Sequence, residues 1–241
     1  MPNAFVRKLD GLEALDAADR EFLVGLMNVS HRVSADEDLI RVGDNPANVH
    51  VILEGFAVRY KLTAQGKRQI FAYLIPGDCC DLQVALLGRM DHSIGTITPC
   101  RIVELSPSTV HEITRTRPAV TRALWLASLV DEATLREWLL NLGQRSAQKR
   151  IAHLFCELHT RLKAVGLTAD GSFELPLTQT ELGDTMGLST VHVNRSLKDL
   201  REANLVLMKP DQIFIPDVSR LAAYAGFDPS YLHLKRSTPR A

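Results

Sequence analysis

The sequence lacks the long hydrophobic segments that membrane and exported proteins carry. No stretch approaches the roughly 18 consecutive uncharged apolar residues that a membrane-spanning helix requires. The opening segment, MPNAFVRKLDGLEALD, contains no apolar core of a signal peptide. We therefore expect a cytoplasmic protein with no membrane partner. The hydrophobic content of 46% in 241 residues is enough for one large or two ordinary domains.

Motifs that accompany catalysis are also missing. The chain contains no P-loop, no HExxH, no GxGxxG and no Ser/His/Asp order typical of a hydrolase. The sequence therefore predicts a protein that is not an enzyme. The enzymatic alternative is an acid–base site, and its candidate members are His92, His111, His153, His159 and Asp81.

Cysteine is scarce and its spacing predicts no metal site. The four cysteines include no CxxC pair and no Cys/His cluster with zinc spacing. In a reducing compartment they are expected to be buried thiols rather than disulfides. The adjacent pair Cys79–Cys80 is unusual, and a redox or metal role for it stays open beside the simpler interpretation that at least one of the two fills the core.

The stretch Leu177–Leu205 predicts two helices joined by a tight glycine turn. Thr178 and Glu181 form a capping-box pattern at the start of the first helix. Gly187 stands where a helix end favours a residue that tolerates positive φ. Ser189 can then cap the second helix, because its hydroxyl can accept a free amide of the first turn.

The second of these helices has one apolar and one polar face. Val193, Leu197 and Leu200 recur at helical spacing, whereas the other face is polar and basic. This pattern is typical of a helix-turn-helix, whose second helix enters the major groove of double-stranded DNA. The alternative is a helical hairpin that only packs. The predicted DNA-binding residues are Thr178, Gln179, Ser189, Thr190, Val191, His192, Asn194, Arg195 and Lys198.

These residue types differ in what they can contact on DNA. Arg195 can form a bidentate bond with O6 and N7 of a guanine. Thr178, Gln179 and Ser189 are short donors of the kind that hold phosphates.

The chain has no excess of charge of either sign, with 28 basic and 28 acidic residues. From Arg145 to the end there are 13 Lys and Arg against 10 Asp and Glu, or +3, and the remainder, 15 against 18, carries −3. The asymmetry is mild but has the sign that DNA requires. DNA affinity must therefore come from local contacts and from dimerisation.

The segment 1–117 is predicted as a β-roll domain. Short apolar runs separated by turn residues indicate an antiparallel roll, and Leu12–Val29 ahead of it is predicted as helical with Asp16 as a cap. The predicted strands are Leu39–Val42, Val49–Leu53, Ala57–Leu62, Gln69–Leu74, Ser93–Thr98 and Cys100–Leu105.

The segment 118–143 is predicted as a dimerisation helix that begins with Pro118 at its first position. At roughly 25 residues it would be about 37 Å long, which exceeds what a small domain needs. We therefore expect it to pair with a second copy of the chain, the alternative being a helix that lies along its own β domain. The predicted seam is Val120, Leu124, Ala127, Leu135, Trp138 and Leu142.

The segment 144–241 is predicted as a winged helix-turn-helix. Residues 143–146 form the hinge and Ala147–Val165 a further helix, while Leu205–Lys209 and Gln212–Ile215 form the wing. Asp217 caps a last short helix. The fold class is therefore α+β: a jelly-roll-like antiparallel β-roll, a long helix and a C-terminal winged helix-turn-helix.

This order resembles the Crp/Fnr family of bacterial transcription regulators over nearly the whole chain. The matching pieces are Arg41-Val42-Gly43-Asp44, Val51-Ile52-Leu53-Glu54-Gly55, Pro76-Gly77-Asp78, Lys149-Arg150-Ile151-Ala152 and Leu177-Thr178-Gln179 with Gly187-Leu188-Ser189 and Val193-Asn194-Arg195. The resemblance implies a homodimer on a palindromic operator, a sensor in the β-roll and contact with RNA polymerase. It also implies that such a protein activates or represses transcription.

Departures from the family disfavour its known cofactors. Cyclic-AMP receptors carry Gly-Glu, Arg-Ser and Thr-Ser pairs where this chain has Asp81-Leu82, His92-Ser93 and Leu135-Arg136. Leucine cannot hold a ribose hydroxyl, and a neutral histidine replaces a guanidinium poorly. No cysteine precedes Cys79, so the N-terminal iron–sulfur cluster is not expected, and haem is unsupported. The candidate effector pocket is Asp81, His92, Ser93 and Arg136, and its ligand is not defined by the sequence.

The recognition helix also departs from many relatives, which carry Glu where this chain has Val191. A carboxylate accepts from cytosine N4, whereas valine offers only apolar contact, for instance to a thymine methyl. Arg195 is retained. The resemblance therefore predicts TTGA-like and TCAA-like half-sites about one helical turn apart. The base preference beside the guanine should differ from that of relatives that carry Glu at this position. A signalling module that only binds a cyclic nucleotide, or a regulator controlled by its expression level, is the alternative function.

Overall fold

In the computed structural model, residues 3–82 and 88–234 are described. The chain begins with two capped helices, α1 (Ala4–Leu12) and α2 (Ala17–Leu26). The Asp16 carboxylate accepts from the Asp19 amide at 2.7 Å, as predicted for a cap. The predicted helical region is wrong between Leu12 and Asp16, because Leu12 ends α1 and the chain turns before Asp16. The sequence analysis missed α1.

The β-roll consists of two facing antiparallel sheets, with strand orders β1-β7-β3 and β2-β6-β4-β5. The predicted strands are confirmed with small shifts at their ends. The strand β1 was missed because polar and apolar residues do not alternate clearly along it. The strands are β1 (Ser30–Val33), β2 (Asp38–Ile40), β3 (Val49–Glu54), β4 (Ala57–Leu62), β5 (Arg68–Leu74), β6 (Ser93–Thr96) and β7 (Cys100–Leu105).

Strands β3 and β5 are largely buried on both faces. Along β3, Ile52 faces the interior of the roll, whereas Val51 packs outward against the N-terminal helices. Along β5, Leu74 faces the interior and Tyr73 packs outward against the C-terminal helices. This alternation follows the period of two in a strand. The outer face of one sheet therefore carries the N-terminal helices and that of the other carries the winged helix-turn-helix.

Two helices follow the roll. The first, α3 (Pro107–Thr116), is capped by Ser106 and was missed by the sequence analysis. The second, α4 (Pro118–Gln144), has 27 residues and begins with Pro118 at its first turn, as predicted. It is about 40 Å long. Its end is displaced slightly from the predicted hinge, since Gly143 and Gln144 are still helical and the break falls at Arg145.

The C-terminal part is a winged helix-turn-helix. Its sheet has the order β8-β10-β9, so the predicted wing hairpin gains a third strand. Asp217 caps the last α-helix, as predicted, by accepting from the Arg220 amide at 2.9 Å. The elements are α5 (Ala147–Ala164), β8 (Ser172–Glu174), α6 (Gln179–Met186), α7 (Thr190–Glu202), β9 (Leu207–Lys209), β10 (Gln212–Phe214), α8 (Val218–Ala225) and a short 3-10 helix (Pro229–Leu232).

No helix in residues 3–82 and 88–234 is long and apolar enough to cross a membrane.

Candidate nucleic-acid interface

Local signals in the sequence fix the start and end of α6. The Thr178 hydroxyl accepts from the Glu181 amide at 3.2 Å, and the Thr178 amide donates to the Glu181 carboxylate at 2.7 Å. This is the predicted capping box. Gly187 ends the helix with φ of 63°, a left-handed conformation that favours glycine.

The turn between α6 and α7 also depends on Gly183, which the sequence analysis did not single out. A Cβ atom at this position would lie 2.6 Å from the carbonyl oxygen of Leu188. The two helices approach this closely because Val193, Leu197 and Leu200 of α7 pack in one core with Leu182 and Met186. The buried face of α7 is therefore the predicted one.

The opposite face of α7 is open to solvent. Arg195 has no hydrogen-bond or ion-pair partner in the part of the chain that the structure describes, and Val191 is 72% exposed. The Asn194 amide reaches the Gln179 side chain at 3.4 Å, which joins this face to the start of α6. The nine predicted DNA-binding residues are all exposed: Thr178, Gln179, Ser189, Thr190, Val191, His192, Asn194, Arg195 and Lys198.

The charge of this surface changes along α7. Its N-terminal half carries no acidic side chain, and Ser189 caps it by accepting from the His192 amide at 3.4 Å. Farther along, Lys198 lies 3.6 Å from Glu202. The electropositive end, where helix amides and Arg195 combine, is therefore the end that suits the edges of bases and phosphates.

The four residues of the predicted effector pocket each have a partner within the chain. Asp81 is buried and accepts from the amide of His50 at 2.9 Å, while its other oxygen lies 3.0 Å from Nδ1 of the His50 ring. The Ser93 hydroxyl accepts from the Val42 amide at 3.0 Å. Both side chains therefore contribute hydrogen bonds within the roll.

The two remaining members of the predicted pocket are also engaged elsewhere. His92 contacts the Asp91 carboxylate at 2.6 Å, and burial lowers the pKa of its ring. Arg136 lies on the exposed side of α4 and pairs with Glu132 at 3.1 Å, one helical turn away. Neighbours along the chain therefore engage both groups, although Nε2 of His92 is buried without a hydrogen-bond partner in the described residues.

A residue that the sequence analysis missed, Arg59 of β4, joins the roll to α4. Its guanidinium donates to the Asp131 carboxylate at 2.9 Å and to the carbonyl oxygens of Cys80 at 2.7 Å and Cys79 at 3.2 Å. The cavity between Arg59, Leu82 and Leu124 has a volume of about 10 Å³. That is room for about one water molecule, whereas sites for drug-sized ligands are about 300 Å³ or larger.

All four cysteines are free thiols; Cys80, Cys100 and Cys156 are buried and Cys79 is partly buried. Burial raises the pKa of Cys79 and of Cys156 to about 12, and that of Cys100 to about 11. Burial also raises the pKa of Cys80. A thiol with so high a pKa is protonated at neutral pH and reacts poorly. Within residues 3–82 and 88–234, no cluster of three or more His, Cys, Asp or Glu side chains could hold a metal ion.

Four of the six residues of the predicted dimer seam are buried within the protomer. Val120, Leu124 and Ala127 are buried, and the first two pack with the N-terminal helices. Trp138 is also buried, and its indole donates to the Glu157 carboxylate at 2.8 Å. Leu135 remains 41% exposed, and Leu142 is half-buried.

A second apolar stripe on α4 is the exposed one. Trp125 is 64% exposed, Leu129 56%, Leu139 72% and Leu140 45%. Spacings of four and ten residues place the first three on one side of the helix. The helix is apolar on two faces, and the sequence pattern does not tell which face meets its own protomer.

Comparisons with known proteins agree with this geometry. Residues 149–224 match a Crp-like helix-turn-helix domain, and residues 30–117 match a cyclic nucleotide-binding domain. The transcriptional activatory protein AadR of Rhodopseudomonas palustris is 30% identical over 207 residues, which cover 81% of this chain and 80% of AadR. The nitrogen fixation regulation protein FixK of Bradyrhizobium diazoefficiens is 27% identical over 216 residues, 88% of each chain.

The fold is also that of a solved regulator. The structure of FixK2 from Bradyrhizobium japonicum superposes with a TM-score of 0.72 at 23% identity, covering 81% of this chain and 96% of FixK2. Members of this group are transcription regulators rather than enzymes, and they bind DNA, typically as dimers. The chain belongs to the Crp/Fnr family of transcription regulators.

Proposed function

We propose that two copies of this chain bind one palindromic operator and activate transcription there, with α7 reading the bases. The observation that carries the proposal is the open face of α7, on which Arg195 has no protein partner in the described chain. An unpaired guanidinium on a capped helix can form a bidentate bond with a guanine. The proposal of activation draws on relatives such as AadR, which is named a transcriptional activatory protein.

Dimerisation would bury the exposed stripe of α4. Trp125, Leu129 and Leu139 are large apolar residues open to solvent on one helix, and such patches mark interaction sites. A twofold axis along α4 makes the contact self-complementary. It also directs the two α7 helices to half-sites about 34 Å apart, one turn of DNA.

The operator follows from the residues that α7 presents. We propose TTGA-like and TCAA-like half-sites, in which Arg195 contacts the guanine and Val191 contacts a thymine methyl. Thr178, Gln179 and Ser189 would hold phosphates and fix the register. The other predicted DNA-binding residues, Thr190, His192, Asn194 and Lys198, would contact DNA beside these positions.

The β-roll would serve as a scaffold without a cyclic nucleotide. The Arg59–Asp131 ion pair lies between the roll and α4, and the two cavities that it borders have volumes of about 10 Å³ and about 60 Å³. The amount of protein would then set the level of transcription. By family resemblance, the DNA-bound dimer would contact RNA polymerase.

A mobility-shift titration with purified chain and a palindromic TTGA/TCAA fragment tests this function. We expect one retarded complex that contains two protomers per duplex, formed equally well with and without added cyclic AMP. A fragment with both half-sites scrambled is the control. Equal affinity for the scrambled fragment, or a strict requirement for cyclic AMP, would overturn the proposal.

A further inference from the structure

The C-terminal end of α6 is attached to the edge strand β5 of the roll. The Arg68 guanidinium pairs with the Asp184 carboxylate at 2.7 Å. The Gln69 side-chain amide donates to the carbonyl oxygen of Thr185 at 3.1 Å, and the Tyr73 hydroxyl lies 2.5 Å from the Thr185 hydroxyl. Three side chains of β5 therefore join the roll to the first helix of the DNA-binding motif.

The direction of the buried hydroxyl contact can be assigned. The Thr185 hydroxyl donates to the carbonyl oxygen of Glu181 at 2.8 Å, so it is left to accept from Tyr73. Both side chains are almost fully buried, at 0% and 1% exposure. Burial raises the pKa of Tyr73, which keeps its proton available for this bond. A buried hydroxyl that lost this partner would destabilise the fold, so the contact favours one position of α6.

The same end of α6 is also contacted by α5, which follows the hinge. Arg150 of α5 donates to the carbonyl oxygen of Met186 at 3.1 Å and to that of Arg145 at 2.8 Å. The opposite end of α6, with Thr178 and Gln179, is exposed. The contacts with the roll therefore leave the proposed DNA-facing side of α6 exposed. They can position α6 without obstructing DNA.

A small rotation of α6 against the roll would move the recognition helix α7 relative to the DNA bases. The recognition helix α7 has 13 residues and is about 20 Å long. A tilt of about 10° over that length displaces its far end by about 3.5 Å, which is roughly the rise of one base pair. The orientation of α6 against the roll is thus coupled to the separation of half-sites that a dimer can contact.

We infer that Arg68, Gln69 and Tyr73 of β5 are positioning residues that set the half-site spacing this dimer accepts. They act through Asp184 and Thr185 of α6 and do not contact DNA. The inference rests on the proposed function, because it requires a dimer that reads two half-sites.

Affinity measurements on palindromes with the spacer changed by one or two base pairs in each direction test this role. We expect the unmodified chain to prefer one spacing by at least about tenfold, or about 1.4 kcal/mol. Tyr73→Phe and Arg68→Glu should each reduce that preference to about threefold or less. Asp184→Lys added to Arg68→Glu re-forms the ion pair with reversed charges and should restore the original preference.

Arg101→Glu is the matched control, because it breaks an ion pair with Glu54 that lies within the roll. It should leave the spacing preference unchanged. If Tyr73→Phe and Arg68→Glu bind specifically but keep the original preference, the positioning role is wrong while the proposed function stands. If the unmodified chain shows no specific binding at any spacing, the proposed function itself has failed.

Discussion

Removing Arg161 should destabilise the junction between the roll and α5 by a predictable amount. Its guanidinium donates to the Asp78 carboxylate at 2.7 Å, to the Glu157 carboxylate at 3.1 Å and to the carbonyl oxygen of Tyr73 at 2.8 Å. The Arg161 side chain is only 15% exposed. Removing one partner of a buried ion pair costs about 3–5 kcal/mol, because the remaining charge stays buried.

The variant Arg161→Met retains much of the side-chain volume and isolates the loss of charge. Asp78 keeps Lys8 at 2.6 Å, so the larger consequence falls on Glu157. Glu157 keeps hydrogen bonds from Trp138 and Tyr231 but loses its ion pair. Urea unfolding at a fixed protein concentration, which is required for a dimer, should give a free energy of unfolding lower by about 3–5 kcal/mol.

The pH dependence of this loss has a defined sign. Burial raises the pKa of Glu157 in the folded state above its unfolded value. Protonated Glu157 therefore favours the fold, and this contribution is lost as the pH rises through the folded pKa. Without Arg161 that pKa moves higher still, so the deficit of Arg161→Met should grow as the pH rises through the folded pKa of Glu157.

Glu157→Gln added to Arg161→Met is the control, since it removes the stranded carboxylate. The double variant should be more stable than Arg161→Met at about pH 8 and should lose the pH trend. A loss below about 1 kcal/mol for Arg161→Met, with no pH dependence, would refute the reasoning because it would mean that solvent already screens the pair.

Three further predictions follow from the geometry. Trp125→Glu should yield monomers in sedimentation velocity, whereas Leu62→Glu, an equally exposed residue of the roll, should stay dimeric; dimeric Trp125→Glu would exclude the proposed seam. Calorimetry with cyclic AMP should show no binding at micromolar concentrations, and saturable binding would contradict the scaffold role. Gly183→Ala should lower the free energy of unfolding by about 1–3 kcal/mol, since its Cβ would lie 2.6 Å from the Leu188 carbonyl oxygen. Gly143→Ala, with no atom within 4 Å of its Cβ, should be neutral or stabilising.

The DNA-binding motif was the most predictable part of the molecule because its signals are local. The capping box at Thr178 and Glu181, the left-handed Gly187 and the apolar positions of α7 each depend on neighbours within one or two turns. The strands of the roll were predictable for the same reason, since turn residues separate short apolar runs. The short helices α1 and α3 were missed because neither has a long periodic pattern.

Contacts between distant elements could not be predicted from the pattern. Trp138 was predicted as a seam residue and Trp125 was not, yet Trp138 donates to Glu157 across the junction and Trp125 is exposed. Arg59 is a single basic residue in an otherwise ordinary strand, and its role appears only where β4 meets Asp131. The attachment of Tyr73 to Thr185 likewise joins residues 112 positions apart.

Binding-site selection from random DNA, performed on the unmodified chain and on Arg195→Ala, tests the central claim most directly. We expect the unmodified chain to select a palindrome with a guanine in each half-site. Arg195→Ala should lose preference at that guanine and bind more weakly by about 1–3 kcal/mol per half-site. Lys198→Ala should select the same motif with a uniformly lower affinity and a smaller salt dependence, because we expect it to contact phosphate. If Arg195→Ala selected the same motif as the unmodified chain, α7 would not read the operator in the register proposed.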